Sequence, residues 1–196
     1  DEAKELLNVH SDRPIIGIIG RISVKKGQLF VAQALQQLVQ KGIQFNLLIF
    51  GSATVNTDDD KAYAEELVQF VHKNNLQDYV YFVESQPDVA KFYNAIDGFV
   101  LASHSETYGM VTIEAMLSGI PVLATDSGGT TEIVGNGEFG TLYKYNDMAD
   151  FLPKLELLIS RNQDILNKAE ISRLDAFLQY NVEKEVEGFN EILQNL

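Results

Sequence analysis

Between Ser103 and Met116 the chain reads S-H-S-E-T-Y-G-M-V-T-I-E-A-M, and this stretch carries the residue types best suited to chemistry. It joins an apolar run, Gly98 to Ala102, to an apolar-periodic run, Met110 to Leu117. The first reads as a buried strand and the second as a helix. A strand-to-helix turn with a glycine at the helix start, here Gly109, suits an anionic ligand. Unpaired backbone N–H groups and the positive end of the helix dipole meet there. Gly109, Met110 and Val111 would supply those N–H groups. Two carboxylates flank the turn, Glu106 before the helix and Glu114 inside it. Carboxylates repel phosphate and accept well from hydroxyls. Phosphate held between two hydroxyl-binding carboxylates fits a nucleotide sugar.

Other groups have chemistry to offer. Arg21 and Lys26 lie in a loop, Gly20 to Gly27, and are candidate cations for a diphosphate. Arginine brings a planar fork and lysine a point charge. Lys25, beside Lys26, is expected to face solvent. Glu132 in Gly128-Gly-Thr-Thr-Glu132 is placed to cap a short helix, with the paired glycines letting backbone approach a ligand. His104 reads as a loop residue, and His10 and His72 as surface histidines; no histidine pair has metal-ligand spacing. Asp58-Asp-Asp60 contains D-x-D, but acidic residues are expected where a helix opens. There is no G-x-G-x-x-G after the first strand, no G-x4-G-K-[ST] and no G-x-S-x-G.

Taken together, four blocks carry a family resemblance. They are S-x-x-E-x-[FY]-G with the later Glu114-Ala115, Gly119-Ile-Pro-Val122, Gly128-Gly-Thr-Thr-Glu132, and Gly20-Arg21 with Lys26-Gly27. In this order the sequence, over roughly Ile15 to Tyr145, resembles the donor-binding C-terminal half of retaining GT-B glycosyltransferases of the family 4, or group 1, type. The resemblance implies that Glu106 holds the transferred sugar beside the reacting carbon, in the catalytic position. Thr107, Tyr108 and Gly109 would complete the sugar site. Arg21, Lys26, Gly109, Met110 and Val111 would hold the diphosphate, and Glu114 the ribose hydroxyls. It implies no metal and no cofactor; the donor is a substrate, a UDP-sugar first, with GDP- or ADP-sugar as the alternatives. The base would lie against backbone near Val83 to Gln86. Departures from the family pattern are Ala102 for proline, Thr107 for glycine, and Ala53 in Gly51-Ser-Ala53 for the second glycine of G-x-G.

Composition bounds the other classes. The 196 residues suffice for one sizeable core. A net charge of −13 argues against nucleic acid and against an anionic membrane surface. Zero cysteines exclude disulfides and fit the cytoplasm. No apolar run reaches membrane-spanning length. Asp1-Glu-Ala-Lys-Glu5 is charged from the start, unlike a signal peptide.

The elements that must position these groups alternate. Strands are expected at Ile15–Ile19, Phe45–Phe50, Tyr79–Val83, Gly98–Ala102, Pro121–Thr125 and Thr141–Tyr143. Helices are expected at Gln28–Gln40, Asp58–Asn74, Pro87–Ala95, Met110–Leu117 and Thr130–Val134, then from Met148 onward with a break near Tyr180. Solid apolar strands alternating with helices imply an α/β, Rossmann-like parallel sheet with helices on both faces. Such sheets bind ligands at the carboxyl ends of their strands. Residues 1–12 read as a linker or leading helix and 13–179 as the nucleotide-sugar-binding domain. Residues 180–196 read as a C-terminal helix packing toward an acceptor-binding N-terminal domain that this chain lacks. Any membrane contact would come through that absent domain. The expected function is the donor half of a retaining, metal-independent hexosyltransferase, inactive in isolation. A non-catalytic nucleotide-sugar-binding partner module and a sugar-nucleotide epimerase are the alternatives. The missing glycine fingerprint disfavours an NAD enzyme.

Overall fold

The apolar runs become strands. A computed structural model describes residues 2–9, 12–53, 58–106, 108–181, 183 and 184. Ile15–Ile19 (β1), Asn46–Phe50 (β2), Val80–Val83 (β3), Gly98–Leu101 (β4), Val122–Thr125 (β5) and Thr141–Tyr143 (β6) form one sheet in the order β3-β2-β1-β4-β5-β6. Every pairing is parallel. The helices are Glu2–Leu6 (α1), Gln28–Gln40 (α2), Asp58–Lys73 (α3), Ala90–Ala95 (α4), Met110–Leu117 (α5), Thr130–Ile133 (α6), Met148–Ile159 (α7) and Gln163–Gln179 (α8). The fold is therefore α/β and Rossmann-like.

β1, β2, β4 and β5 are buried throughout, as parallel strands covered on both faces must be. Alternation in β1 sends Ile16 and Ile18 to one face, against Leu35 of α2, Leu67 of α3 and Phe151 of α7. It sends Ile15 and Ile19 to the other, against Phe92 of α4, Met116 of α5 and Ile133 of α6. Glycines in the two central strands bring helices close. A Cβ on Gly17 would lie 2.7 Å from Ile96 and Phe92, and one on Gly98 would lie 2.8 Å from Leu158 of α7.

The strand order reverses between β1 and β4, which pair through Gly17 and Phe99. The loops leaving the carboxyl ends of these neighbours diverge and open a crevice. They are the Gly20–Gly27 loop and the Ala102–Gly109 turn. The sheet therefore puts Arg21, Lys26 and Glu106 on the loops at its topological switch point.

Some expected boundaries move. α4 begins at Ala90 rather than Pro87. The single helix expected from Met148 to Tyr180 is divided. Arg161 adopts φ +52, and the Asn162 side chain accepts from the Asp164 N–H to start α8. An asparagine followed by an acidic residue is an N-terminal signal that the continuous periodicity masks. The helix expected over residues 180–196 falls largely outside the described residues. Among those described, no helix is long and apolar enough to cross a membrane.

Candidate functional site

The loop after β1 is shaped by glycine and by a buried glutamine. Gly27 has φ +71, and a Cβ there would sit 2.6 Å from the Ala102 carbonyl oxygen. Only glycine lets the loop lie against the end of β4. Gln28, fully buried, donates through Nε2 to the Arg21 carbonyl at 3.0 Å and accepts at Oε1 from the Ser23 N–H at 3.4 Å. A short 3-10 turn, Val24–Lys26, then carries Lys26 toward the neighbouring turn. Lys25 is exposed, as expected.

Across the crevice Lys26 Nζ meets Glu106 Oε1 at 2.5 Å. The same oxygen accepts from Ser103 Oγ at 2.7 Å. The Glu106 side chain is only 15% exposed. Its backbone is held too, because its carbonyl accepts from the Gly129 N–H at 3.1 Å. Thr125 Oγ1 donates to the Ser103 carbonyl at 2.8 Å, and Ser127 Oγ donates to the His104 carbonyl. The His104 N–H donates to the Lys25 carbonyl at 3.3 Å. The loops after β1, β4 and β5 are thus tied into one rim, with Glu106 at its centre.

Helix α5 starts beside that rim. Gly109, its N-cap, has φ +56, and no side chain caps the helix. A Cβ on Gly109 would lie 2.3 Å from Ile133 Cδ1. The uncapped first turn, with its dipole, suits an anion. Further along α5, Glu114 Oε2 lies 2.8 Å from the Tyr93 hydroxyl, which also lies 3.0 Å from the Val111 carbonyl. One phenolic proton therefore serves two acceptors. Burial, then the hydrogen bond and charge of Glu114, hold the Tyr93 pKa well above that of a free phenol. Glu114 also borders an open cleft of about 510 Å³, shared with Tyr108, Met110 and Tyr180.

The predicted residues do not all meet. Lys26 and Glu106 are in contact. Glu114 bonds Tyr93 instead, and Arg21 Nε lies 3.6 Å from Asp60 Oδ2 of α3. Asp60 belongs to the acidic triplet that opens α3. Tyr108 and Met110 are exposed, and Thr107 lies outside the described residues. Glu84, Ser85 and Gln86 leave β3 exposed at the same carboxyl end of the sheet. Glu132 does not cap α6: the N-cap is Gly129, with no side-chain bond. His104 packs edge-on against Tyr145 at 4.7 Å between ring centres. No group of three or more histidine, aspartate or glutamate side chains among the described residues is arranged to hold a metal ion.

Sequence reasoning missed Tyr93, Gln28 and Asp60 as supporting residues. None has a local signal: Tyr93 reaches Glu114 across 21 positions, and only the folded pairing of α4 with α5 brings them together. Ser103 was legible as the first residue of the S-x-x-E pattern, but its bond to Glu106 was not.

Comparison with known proteins agrees with this fold. The family model described as glycosyl transferases group 1 matches residues 1–172. The chain is 34% identical over 157 residues to the capsular polysaccharide biosynthesis glycosyltransferase CapM of Staphylococcus aureus. That match covers 80% of this chain and 38% of CapM. It is 30% identical to the lipopolysaccharide core biosynthesis mannosyltransferase LpsB of Rhizobium meliloti, over 75% of this chain and 42% of LpsB. The chain therefore spans about half the length of these curated relatives, the matched segments covering 38% and 42% of them. Among solved structures, Anabaena HepE in complex with UDP superposes with a TM-score of 0.88 at 26% identity, covering 100% of this chain and 52% of HepE. The C-terminal domain of a group 1 family glycosyl transferase (LpcC) from Francisella tularensis superposes with a TM-score of 0.79 at 25% identity, covering 92% of each chain.

Proposed function

This chain belongs to the group 1 glycosyl transferases, and on that premise we propose that it is the donor-binding half of a retaining, metal-independent hexosyltransferase. The observation that carries the reading is the contact of Lys26 with Glu106 beside the uncapped start of α5. It joins a cation, a carboxylate and free N–H groups within one crevice. A nucleotide sugar needs all three.

In this reading the donor diphosphate lies between Lys26, Arg21 and the N–H groups of Gly109, Met110 and Val111. Lys26 then leaves Glu106 for phosphate. Glu106 turns to hydroxyls of the transferred sugar, aided by Tyr108 and the Gly109 backbone. There it positions the sugar and stabilises positive charge developing at the anomeric carbon. Glu114 accepts from the ribose hydroxyls. Cations and the helix dipole balance the leaving group, so no metal is required. Departure and attack occur on one face of the sugar, and a leaving-group oxygen takes the acceptor proton. The relative solved with UDP supports a UDP-sugar as donor. The acceptor would be bound by a separate domain, so this chain alone transfers little or nothing.

The test is calorimetry of this chain with UDP, GDP, ADP, their glucose conjugates and NAD, with Glu114→Ala alongside. Saturable binding of one nucleoside diphosphate, weakened about tenfold in the variant, is expected. Binding of NAD that ignores the substitution would overturn the reading. Retention and metal independence are read on a chain joined to an acceptor domain, by the anomeric configuration of its product and by activity in a chelator.

A further inference from the structure

Glu114 is not a lone carboxylate on a helix. Its Oε2 is bonded by Tyr93, a residue only 3% exposed and set in an aromatic cluster. The Tyr93 ring lies 5.1 Å from Phe92 and 6.2 Å from Phe99, and Phe92 in turn lies 5.2 Å from Phe50. These rings belong to α4, β4 and β2, so the hydroxyl is positioned by the sheet itself. The same hydroxyl reaches the Val111 carbonyl in the first turn of α5. The phenol is thus seated on α5 at two points, and Glu114 is the one side chain it holds there.

We infer that Tyr93 is the positioning residue of the nucleoside site: its hydroxyl occupies one oxygen of Glu114 and aims the other at the ribose. The inference rests on the donor-binding reading above and deepens it. A free glutamate on a helix samples several rotamers, and each must be given up when it accepts from a ribose. A glutamate already held on Oε2 has given them up before the ligand arrives, and its Oε1 remains open to two hydroxyls. The buried phenol stays protonated at neutral pH and so remains a donor. A carboxylate at the Tyr93 hydroxyl also keeps Glu114 from turning toward the diphosphate, which it would repel.

The consequence is a specific one. Tyr93 acts on recognition of the ribose hydroxyls and not on the diphosphate. The probes are UDP, GDP and ADP, each beside its 2′,3′-dideoxy form, titrated into the intact chain and its variants by calorimetry. The wild-type chain is expected to bind the ribose form of one nucleotide about tenfold more tightly than the dideoxy form. Tyr93→Phe, which keeps the ring packing, should cut that ratio to about two- or threefold while leaving affinity for the dideoxy form unchanged. Glu114→Ala should abolish the ratio, and adding Tyr93→Phe to it should change nothing more. A Tyr93→Phe chain that keeps the full ratio overturns the inference and leaves the donor-binding reading standing. A Tyr93→Phe chain that loses both forms equally also overturns it, because the role is then structural. A wild-type chain that binds no nucleotide, or ignores the ribose hydroxyls, overturns the donor-binding reading and this inference with it.

Discussion

Lys26 and Glu106, 80 residues apart in sequence, meet at 2.5 Å over the crevice between β1 and β4. The pair is largely shielded, with side chains 26% and 15% exposed. The lysine that could neutralise a diphosphate is thus parked on the carboxylate that could hold the sugar. In the reading proposed above, donor binding breaks this contact and replaces it on both sides.

Replacing Lys26 with methionine keeps the stem and removes the charge. Affinity for a nucleoside diphosphate should fall about tenfold or more, the worth of a charge-assisted bond. Affinity for the bare nucleoside should not move. Calorimetry with UDP and uridine makes the comparison, and an equal loss for both would show that Lys26 only holds the loop.

Gly109→Ala combines two costs. The backbone sits at φ +56, and the new methyl would fall 2.3 Å from Ile133 Cδ1. A loss of about 1–3 kcal/mol is expected from the backbone alone. Thermal denaturation reads the loss. Adding Ile133→Ala removes the clash but not the backbone strain, so it should restore none of that part.

Alkaline pH should destabilise the fold through two tyrosines. Burial is the largest cause holding the Tyr93 and Tyr143 hydroxyls above the ordinary phenol range. Their pKa is raised in the folded state. The stability they contribute is therefore fully present below about pH 10, where unfolded tyrosine titrates, and lost as pH rises beyond it. Melting temperature followed from pH 8 upward should fall beyond that point, and Tyr93→Phe should make the fall shallower. A curve that stays level in both chains would contradict this.

Acid pH acts on α7. Asp150 is held below the usual carboxylate range, first by its bond to Lys154 and then by the Lys144 N–H. Its pKa is lowered by folding, so its contribution is present above about pH 4 and fades as pH falls through the folded value. The pair is partly exposed at the surface, with side chains 30% and 28% accessible, and its worth is at most about 1 kcal/mol. Asp150→Asn should lower the melting temperature slightly at neutral pH. The two curves should converge in acid.

Much of this was legible in the chain itself. Ile15-to-Ile19 and Gly98-to-Ala102 declared buried strands because nothing polar interrupts them. Glu106 and Gly109 declared a site because carboxylate, glycine and helix start fall within a few positions. What stayed hidden depends on pairs brought together from distant stretches. Asp60 against Arg21 and Tyr93 against Glu114 are set by packing of helices across the sheet, which no local spacing encodes. The break at Arg161 stayed hidden for another reason. Apolar residues keep helical periodicity on both sides of it, and periodicity outweighed the turn chemistry of Ser160 to Asn162.

The reversal of strand order between β1 and β4 also bears on how the molecule assembles. β1, β2 and β3 follow one another closely and can pair soon after collapse. β4 must find β1 across the intervening chain, with Ile16 against Gly98. Pairings of such sequence separation form slowly, because the loop entropy is lost before contacts compensate. Glu106 follows β4, so it cannot meet Lys26 until that late docking is complete. Nucleotide affinity should thus emerge in the slowest refolding phase, after most helical signal has returned, and a bound nucleotide would report that the last long-range pairing has closed.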